Sequence, residues 1–184
     1  MLGQIATFLI DTVATFFVLL LLARFHFQWL RVSFHNPAAQ FVLATTSWLV
    51  MPVRRVVPGL AGLDLPTLLL AWLIQGLGLA AQISIIGGEV RILPVAAVAL
   101  VDLLRLSVYI LMFAVVVQAV LSWVNPHTPL APLFDAVTRR FLRPFRRFIP
   151  PVGGFDLTPL VLLILLQVLL IPISYLRAAA ATLG

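Results

Sequence analysis

The sequence has no cysteine and no lysine; all twelve of its basic residues are arginine. Without thiols there is no disulfide, no zinc–thiolate site and no thiol nucleophile. Without a lysine amine, Schiff-base chemistry and a lysine general base are both excluded. Charge is scarce altogether, at 10% of 184 residues. Soluble domains carry roughly a quarter charged residues, so the deficit places this chain in lipid. Hydrophobic residues fill the gap at 62%.

Sites for chemistry are missing as well. The three histidines, His26, His35 and His127, fall at or outside the ends of the apolar runs. Haem held within a membrane needs axial ligands on facing helices, so the expectation is no cofactor. No nucleophile–base set, phosphate-binding loop or metal-ligand spacing is visible, which makes the chain non-enzymatic in this reading. The net charge of +6 does not point to nucleic acid, because the arginines are embedded in apolar sequence. A bilayer with anionic headgroups suits them better.

What is present is a set of long apolar runs. About 20 apolar residues cross a hydrocarbon core of roughly 30 Å. Four runs qualify: about 4–23, closed by Arg24; 66–86, closed by Gly87-Gly88-Glu89; 106–124; and 159–176, closed by Arg177. The third is preceded by Ile92–Leu104, read as an interfacial or tilted lead-in. The N-terminus has no basic stretch ahead of its apolar run, so the first span is expected to be retained rather than cleaved.

Arginine accumulates between spans one and two (Arg24, Arg31, Arg54, Arg55) and between spans three and four (Arg139, Arg140, Arg143, Arg146, Arg147). With four spans these segments share a side. The positive-inside rule makes it the cytoplasm, with both termini outside. The lysine-free, Ala/Leu/Val/Arg/Pro-rich composition suits a GC-rich bacterial genome, hence a bacterial inner membrane.

An offset of 92 residues brings polar and proline positions into register. Thr46 meets Thr138, Pro52 meets Pro144, and Arg54-Arg55 meets Arg146-Arg147. Pro58 meets Pro150, Gly62 meets Gly154, Asp64 meets Asp156, and Gln75 meets Gln167. Asn36-Pro37 matches Asn125-Pro126 once three residues are allowed in the second half. The expected fold is therefore an all-α membrane protein. Four transmembrane helices form two same-orientation two-helix repeats, 1–91 and 92–184, about an axis along the membrane normal. Amphipathic interfacial helices lie between spans 1–2 and 3–4.

On a helix from Leu133 to Ile149, the five arginines occupy one arc. Phe134, Val137, Phe141, Phe145, Phe148 and Ile149 take the other side. Such a helix is expected in the headgroup plane, apolar face down. Pro144 is expected to break it and open a second short helix that Pro150-Pro151 ends. The counterpart from Pro37 to Pro58 carries Phe41, Trp48 and Met51.

Asp64 and Asp156 are placed to N-cap the following spans, with pairing to the nearby arginines as the alternative. Gln75 and Gln167, near mid-span, point to hydrogen bonds between helices. Gly76, Ala80, Ser84 and Gly88 recur every four residues along span two, as a small-residue packing stripe that an oligomer contact could also use. Asp11 lies near one end of its span, and Asp102 is spaced to pair with Arg105. No carboxylate ladder marks a proton or cation path.

The stretch Arg143-Pro144-Phe145-Arg146-Arg147-Phe148-Ile149-Pro150-Pro151-Val152-Gly153-Gly154-Phe155-Asp156-Leu157-Thr158-Pro159 resembles the YggT (YlmG) family. A degraded copy runs from Asn36-Pro37 through Pro52 to Pro58 and on to Gly62-Leu63-Asp64-Leu65. It departs where Leu65-Pro66-Thr67 replaces the family's Asp-Leu-Ser/Thr-Pro ending. Leu121-Ser122-Trp123 ahead of Asn125-Pro126 also matches the pattern. The resemblance implies a small inner-membrane or thylakoid protein without known catalytic activity. It associates relatives with cytochrome assembly in plastids, with cell division or nucleoid distribution, and with osmotic tolerance.

Two function classes follow. The first is an accessory or assembly factor presenting its arginine segments to a membrane protein partner or to anionic lipid. The second is a solute or ion pathway, channel or transporter, formed within a homo-oligomer. Organisation of lipid by the amphipathic helices is a third.

Overall fold

The computed structural model describes residues 1–59, 62–125, 127–149 and 156–183. Six helices make up the described chain: α1 (Leu2–Trp29), α2 (Pro37–Arg54), α3 (Leu65–Ile85), α4 (Ile92–Val124), α5 (Ala131–Arg146) and α6 (Thr158–Ala181). Four of them, α1, α3, α4 and α6, are long and apolar enough to cross a membrane. Each half runs long–short–long.

Local chemistry sets the helix starts. Proline occupies the first or second position of α2, α3, α5 and α6, where its missing N–H costs nothing. Asn36 caps α2, its side-chain oxygen accepting from the Ala39 N–H at 2.8 Å.

The ends of α1 and α3 share one device. After α3 the chain turns through Gly87 at φ 77°. There the Gly88 N–H donates to Ile83 O and the Gly87 N–H to Ser84 O, the paired bonds of a Schellman turn. After α1 the same two bonds run from Val32 to Phe27 and from Arg31 to Gln28. Here the left-handed position, φ 54°, belongs to Arg31. A Cβ in that region costs about 1–2 kcal/mol, which glycine avoids.

Helices α1 and α3 pack antiparallel. Gly3 lies against Ile85 at one end, Gln82 donates to Asp11 at 3.2 Å, and Arg24 reaches Asp64 at the other end. They pack tightly at Gly78, where a Cβ would meet Ala14 Cβ at 3.0 Å. Gly76 faces Ala99 of α4, while Ser84 is exposed and Gly88 lies in the turn beyond α3. The four-residue stripe is thus not one packing seam, and the tight contact is made by Gly78 between its members. Val18, Leu21, Leu22, Val50, Ala71 and Leu103 form one core. Val108, Val115, Leu142, Leu162, Leu166 and Ile173 form another.

Other expectations need correction. No break separates 92–104 from 106–124, because α4 is one helix of 33 residues, about 50 Å long. The first and last spans also run past their closing arginines, so Arg24 is buried within α1 and Arg177 lies inside α6. Pro144 does not break α5. It sits two residues from the end, as Pro52 does in α2, so little helix remains to be disrupted. Nor does the apolar face of α5 rest mainly on lipid. Leu142 packs into the α4–α6 core, and Leu133 and Val137 pack with Val32 and Ala114. Phe148 lies beyond the helix and is 83% exposed. Pro126, Pro150 and Gly154 lie outside the described residues.

The Gly78 contact generates a prediction. Gly78→Leu forces α1 and α3 apart and should lower the stability of the detergent-solubilised protein by about 1–3 kcal/mol, read as a drop in melting temperature. Gly76→Ala, with 3.8 Å to its nearest neighbour, should leave it nearly unchanged.

Candidate functional site at the arginine-lined end

The arginines of the two inter-span segments gather at one end of the bundle, while Arg91, Arg105 and Arg177 lie apart from them. In the first half, Arg54 at the end of α2 donates from Nη2 to Asp64 Oδ2 at 2.7 Å. The Thr67 hydroxyl donates to the same oxygen at 2.6 Å. Arg24 enters from α1: its Nη1 donates to Thr46 at 2.9 Å and Ser47 at 3.2 Å, and its Nε lies 3.9 Å from Asp64. The Arg24 and Asp64 side chains are 5% and 4% exposed. A charge so buried is stable only with such partners. This cluster ties α1, α2 and the start of α3 together.

In the second half, Arg146 Nε donates to Asp156 Oδ2 at 3.0 Å. The Thr158 N–H and hydroxyl donate to Oδ1 at 2.9 and 2.5 Å. Both latches join an arginine to an aspartate ten residues on. Asp64 stands at the N-cap position of α3, but its carboxylate is spent on Arg54 and Thr67 rather than on a backbone N–H. For α6 the N-cap is Leu157, with Asp156 one residue earlier. Pairing with arginine is therefore the main role of both carboxylates, and Asp156 alone adds a bond to a helix N–H. Burial pushes the Asp156 carboxyl up, but the bonds from Thr158 and Arg146, with the guanidinium charge, outweigh it and hold the group below its ordinary value of 3.8.

Between the end of α1 and α5 lies an open cavity of about 690 Å³. Leu30 and Arg31 from the end of α1 line one wall; Ala136, Arg139, Arg140, Arg143, Pro144 and Arg147 line the other. Arg139 pairs with Asp135 of its own helix. Arg140 lies over the Trp29 ring, 5.2 Å from its centroid, and Trp29 meets Phe141 edge-on. Among the described residues, Arg31, Arg143 and Arg147 have no carboxylate partner. Two adjoining cavities share Arg31 and Gln28, one reaching Gly62 and Arg140 and the other Arg54 and Asp64. Gly62 turns the chain there at φ 82°. Arg55 caps α2, and with Pro58 it stands exposed beside this end.

The remaining sequence candidates scatter. Asn125 ends α4 and accepts from the His127 N–H at 3.1 Å, a turn role unlike the helix cap of Asn36. Gln75 donates to Asp102 at 3.2 Å. Asp102 does not pair with Arg105; it takes Arg177 of α6 at 2.6 and 3.3 Å. Arg105 instead donates to the Tyr109 hydroxyl. Gln167 is exposed on the outer face of α6 and makes no hydrogen bond among the described residues, which departs from the expected interhelical contact. The sequence reading missed Arg24 and Arg31 as centres of the site; the left-handed turn at Arg31 has no glycine to announce it.

The two latches differ in burial, and a test follows. Asp64→Asn should cost on the order of 3–5 kcal/mol by stranding Arg24 and Arg54. Asp156→Asn should cost about 1 kcal/mol or less, because its pair is about one-third exposed. Thermal unfolding in detergent measures both. The depressed Asp156 pKa adds a sign: its contribution is complete above pH 3.8 and fades as the pH falls through the lower folded value. Asp156→Asn should abolish that acid-side dependence.

The comparisons with known proteins come into play here. The CCB3/YggT family model matches residues 3–83 and 97–176. An uncharacterized protein of Pseudomonas aeruginosa is 34% identical over 165 residues, covering 86% of this chain and 83% of that one. The uncharacterized protein YggT of Escherichia coli is 32% identical over 165 residues, 89% of this chain and 86% of its own. An uncharacterized protein of Vibrio alginolyticus is 32% identical over 164 residues, covering 88% and 89%. No solved structure matches. With both helical halves matched and four apolar helices able to span a bilayer, the chain belongs to the CCB3/YggT family of multi-pass membrane proteins.

Proposed function

We propose that this chain is a non-enzymatic accessory or assembly factor of the bacterial inner membrane. It holds its arginine-lined end on the cytoplasmic side, both termini outside, for a membrane protein partner with an acidic surface. The two halves act as copies related by an axis along the membrane normal, so each contributes one latched amphipathic helix. The observation that carries the reading is the pair of tips beyond the latches. Arg55-Val56 and Arg147-Phe148 stand at equivalent positions, with Val56 81% and Phe148 83% exposed. An exposed apolar side chain next to a guanidinium that has no ion pair among the described residues suits a contact that buries one and neutralises the other. Biogenesis of a membrane complex, or division, would use such a factor.

The alternative, a solute or ion pathway formed within a homo-oligomer, would place the exposed Gln167 of α6 at a contact between copies, while Gln75 is already bonded to Asp102.

The chain has no cysteine, so Phe148→Cys supplies the only thiol. Photo-cross-linking from that position in native membranes should capture a discrete protein adduct, weakened several-fold by Arg55→Gln with Arg147→Gln. Capture no stronger than from Leu165→Cys on the outer face of α6 would contradict the proposal.

A further inference from the structure

The cavity around Arg31 carries chemistry that a protein contact at the tips does not use. Arg31 adopts the left-handed conformation where α1 ends, the one non-glycine residue to do so among the described residues. Glycine would close that turn without strain, so the position retains a guanidinium at a cost to the backbone. The same side chain lines all three adjoining cavities. Across from it, Arg143 and Arg147 have no carboxylate partner among the described residues, and Arg140 is set in place by the Trp29 ring. The wall therefore offers several guanidiniums, and the acidic groups close by are already engaged: Asp135 with Arg139 and Asp64 with Arg54.

A second feature narrows the ligand. Gln28 lines the two smaller cavities, and its Oε1 is buried with no hydrogen-bond partner among the described residues. A buried acceptor left unmatched is costly, and a ligand hydroxyl would satisfy it. The site thus asks for an anion that brings both phosphate oxygens for the guanidiniums and a hydroxyl for Gln28. It lies at the end of a bundle of membrane-length helices, where phospholipid headgroups are the nearest phosphates.

We propose that the Arg31 cavity binds the headgroup of an anionic phospholipid that carries a free hydroxyl beside its phosphodiester, of the phosphatidylglycerol type. The headgroup spans the adjoining cavities that Arg31 joins: Arg31, Arg143 and Arg147 take the phosphate in the largest, and Gln28 in the next accepts from the headgroup hydroxyl. The site needs no protein partner, so its test uses the purified full chain and stands apart from cross-linking in membranes.

Native mass spectrometry of the detergent-solubilised protein, titrated with defined lipids, reads this directly. Phosphatidylglycerol should bind at least about tenfold more tightly than phosphatidylcholine. Arg31→Gly should remove that preference while leaving the melting temperature equal or higher, because glycine relaxes the turn. Gln28→Leu should bring phosphatidylglycerol down to the affinity of phosphatidylmethanol, a phosphodiester of the same charge whose headgroup has no hydroxyl. Arg143→Gln with Arg147→Gln provides a second variant, away from the turn, and should also lose the preference. Equal binding of the two lipids by the wild type, or wild-type binding by a folded Arg31→Gly protein, would overturn the proposal. Competition by free glycerol 3-phosphate at equal affinity would overturn the lipid assignment.

Discussion

The fold depends on how a chain suited to lipid accommodates guanidiniums. Twelve arginines face six aspartates and glutamates, and among the described residues five of the arginines are ion-paired: Arg24, Arg54, Arg139, Arg146 and Arg177. Four of the carboxylates are placed where a guanidinium would otherwise be buried or loose. Asp64 sits between Arg24 and Arg54, Asp156 holds Arg146, and Asp102 takes Arg177 from another helix. The first two fix the short helices against the spans that follow them. Once α2 and α5 are latched, their surplus arginines must accumulate at one end.

The halves use this plan unequally. In the first, the latch is sealed by Arg24 with Thr46 and Ser47, and the outer face of α2 is aromatic: Phe41 is 56% and Trp48 63% exposed. In the second, Thr138 is equally buried, but its hydroxyl bonds only to Phe134 O of its own helix, and the outer face of α5 carries the arginines. One half contributes rigidity and a surface for apolar neighbours, while the other contributes charge. The cavity at Arg31 arises where the two meet.

Much of this was legible in the sequence. The four spans follow from apolar runs of sufficient length, the starts of α2, α3 and α6 from Asn36-Pro37, Pro66 and Pro159, and the amphipathic α5 from the arc of its arginines. The failures have physical causes. Pro144 disrupts only the last turn, so a proline rule written for helix interiors overstates its effect. Asp102 had a partner three residues away in sequence, yet the fold offered Arg177, 75 residues distant; local spacing cannot weigh a contact made by tertiary packing. Gly78 escaped because a period of four selected its neighbours, whereas the α1–α3 approach is set by one position opposite Ala14. Arg24 looked like a boundary because a charge normally ends a span; buried partners let it continue.

The central claim is that the arginine-bearing segments of both halves share one aqueous boundary. Single cysteines at Arg55 and Arg147, treated with a membrane-impermeant maleimide in sealed vesicles of known orientation, test it most directly. Both positions should react from the same side, the cytoplasmic one. Reaction of the two from opposite sides would contradict the account.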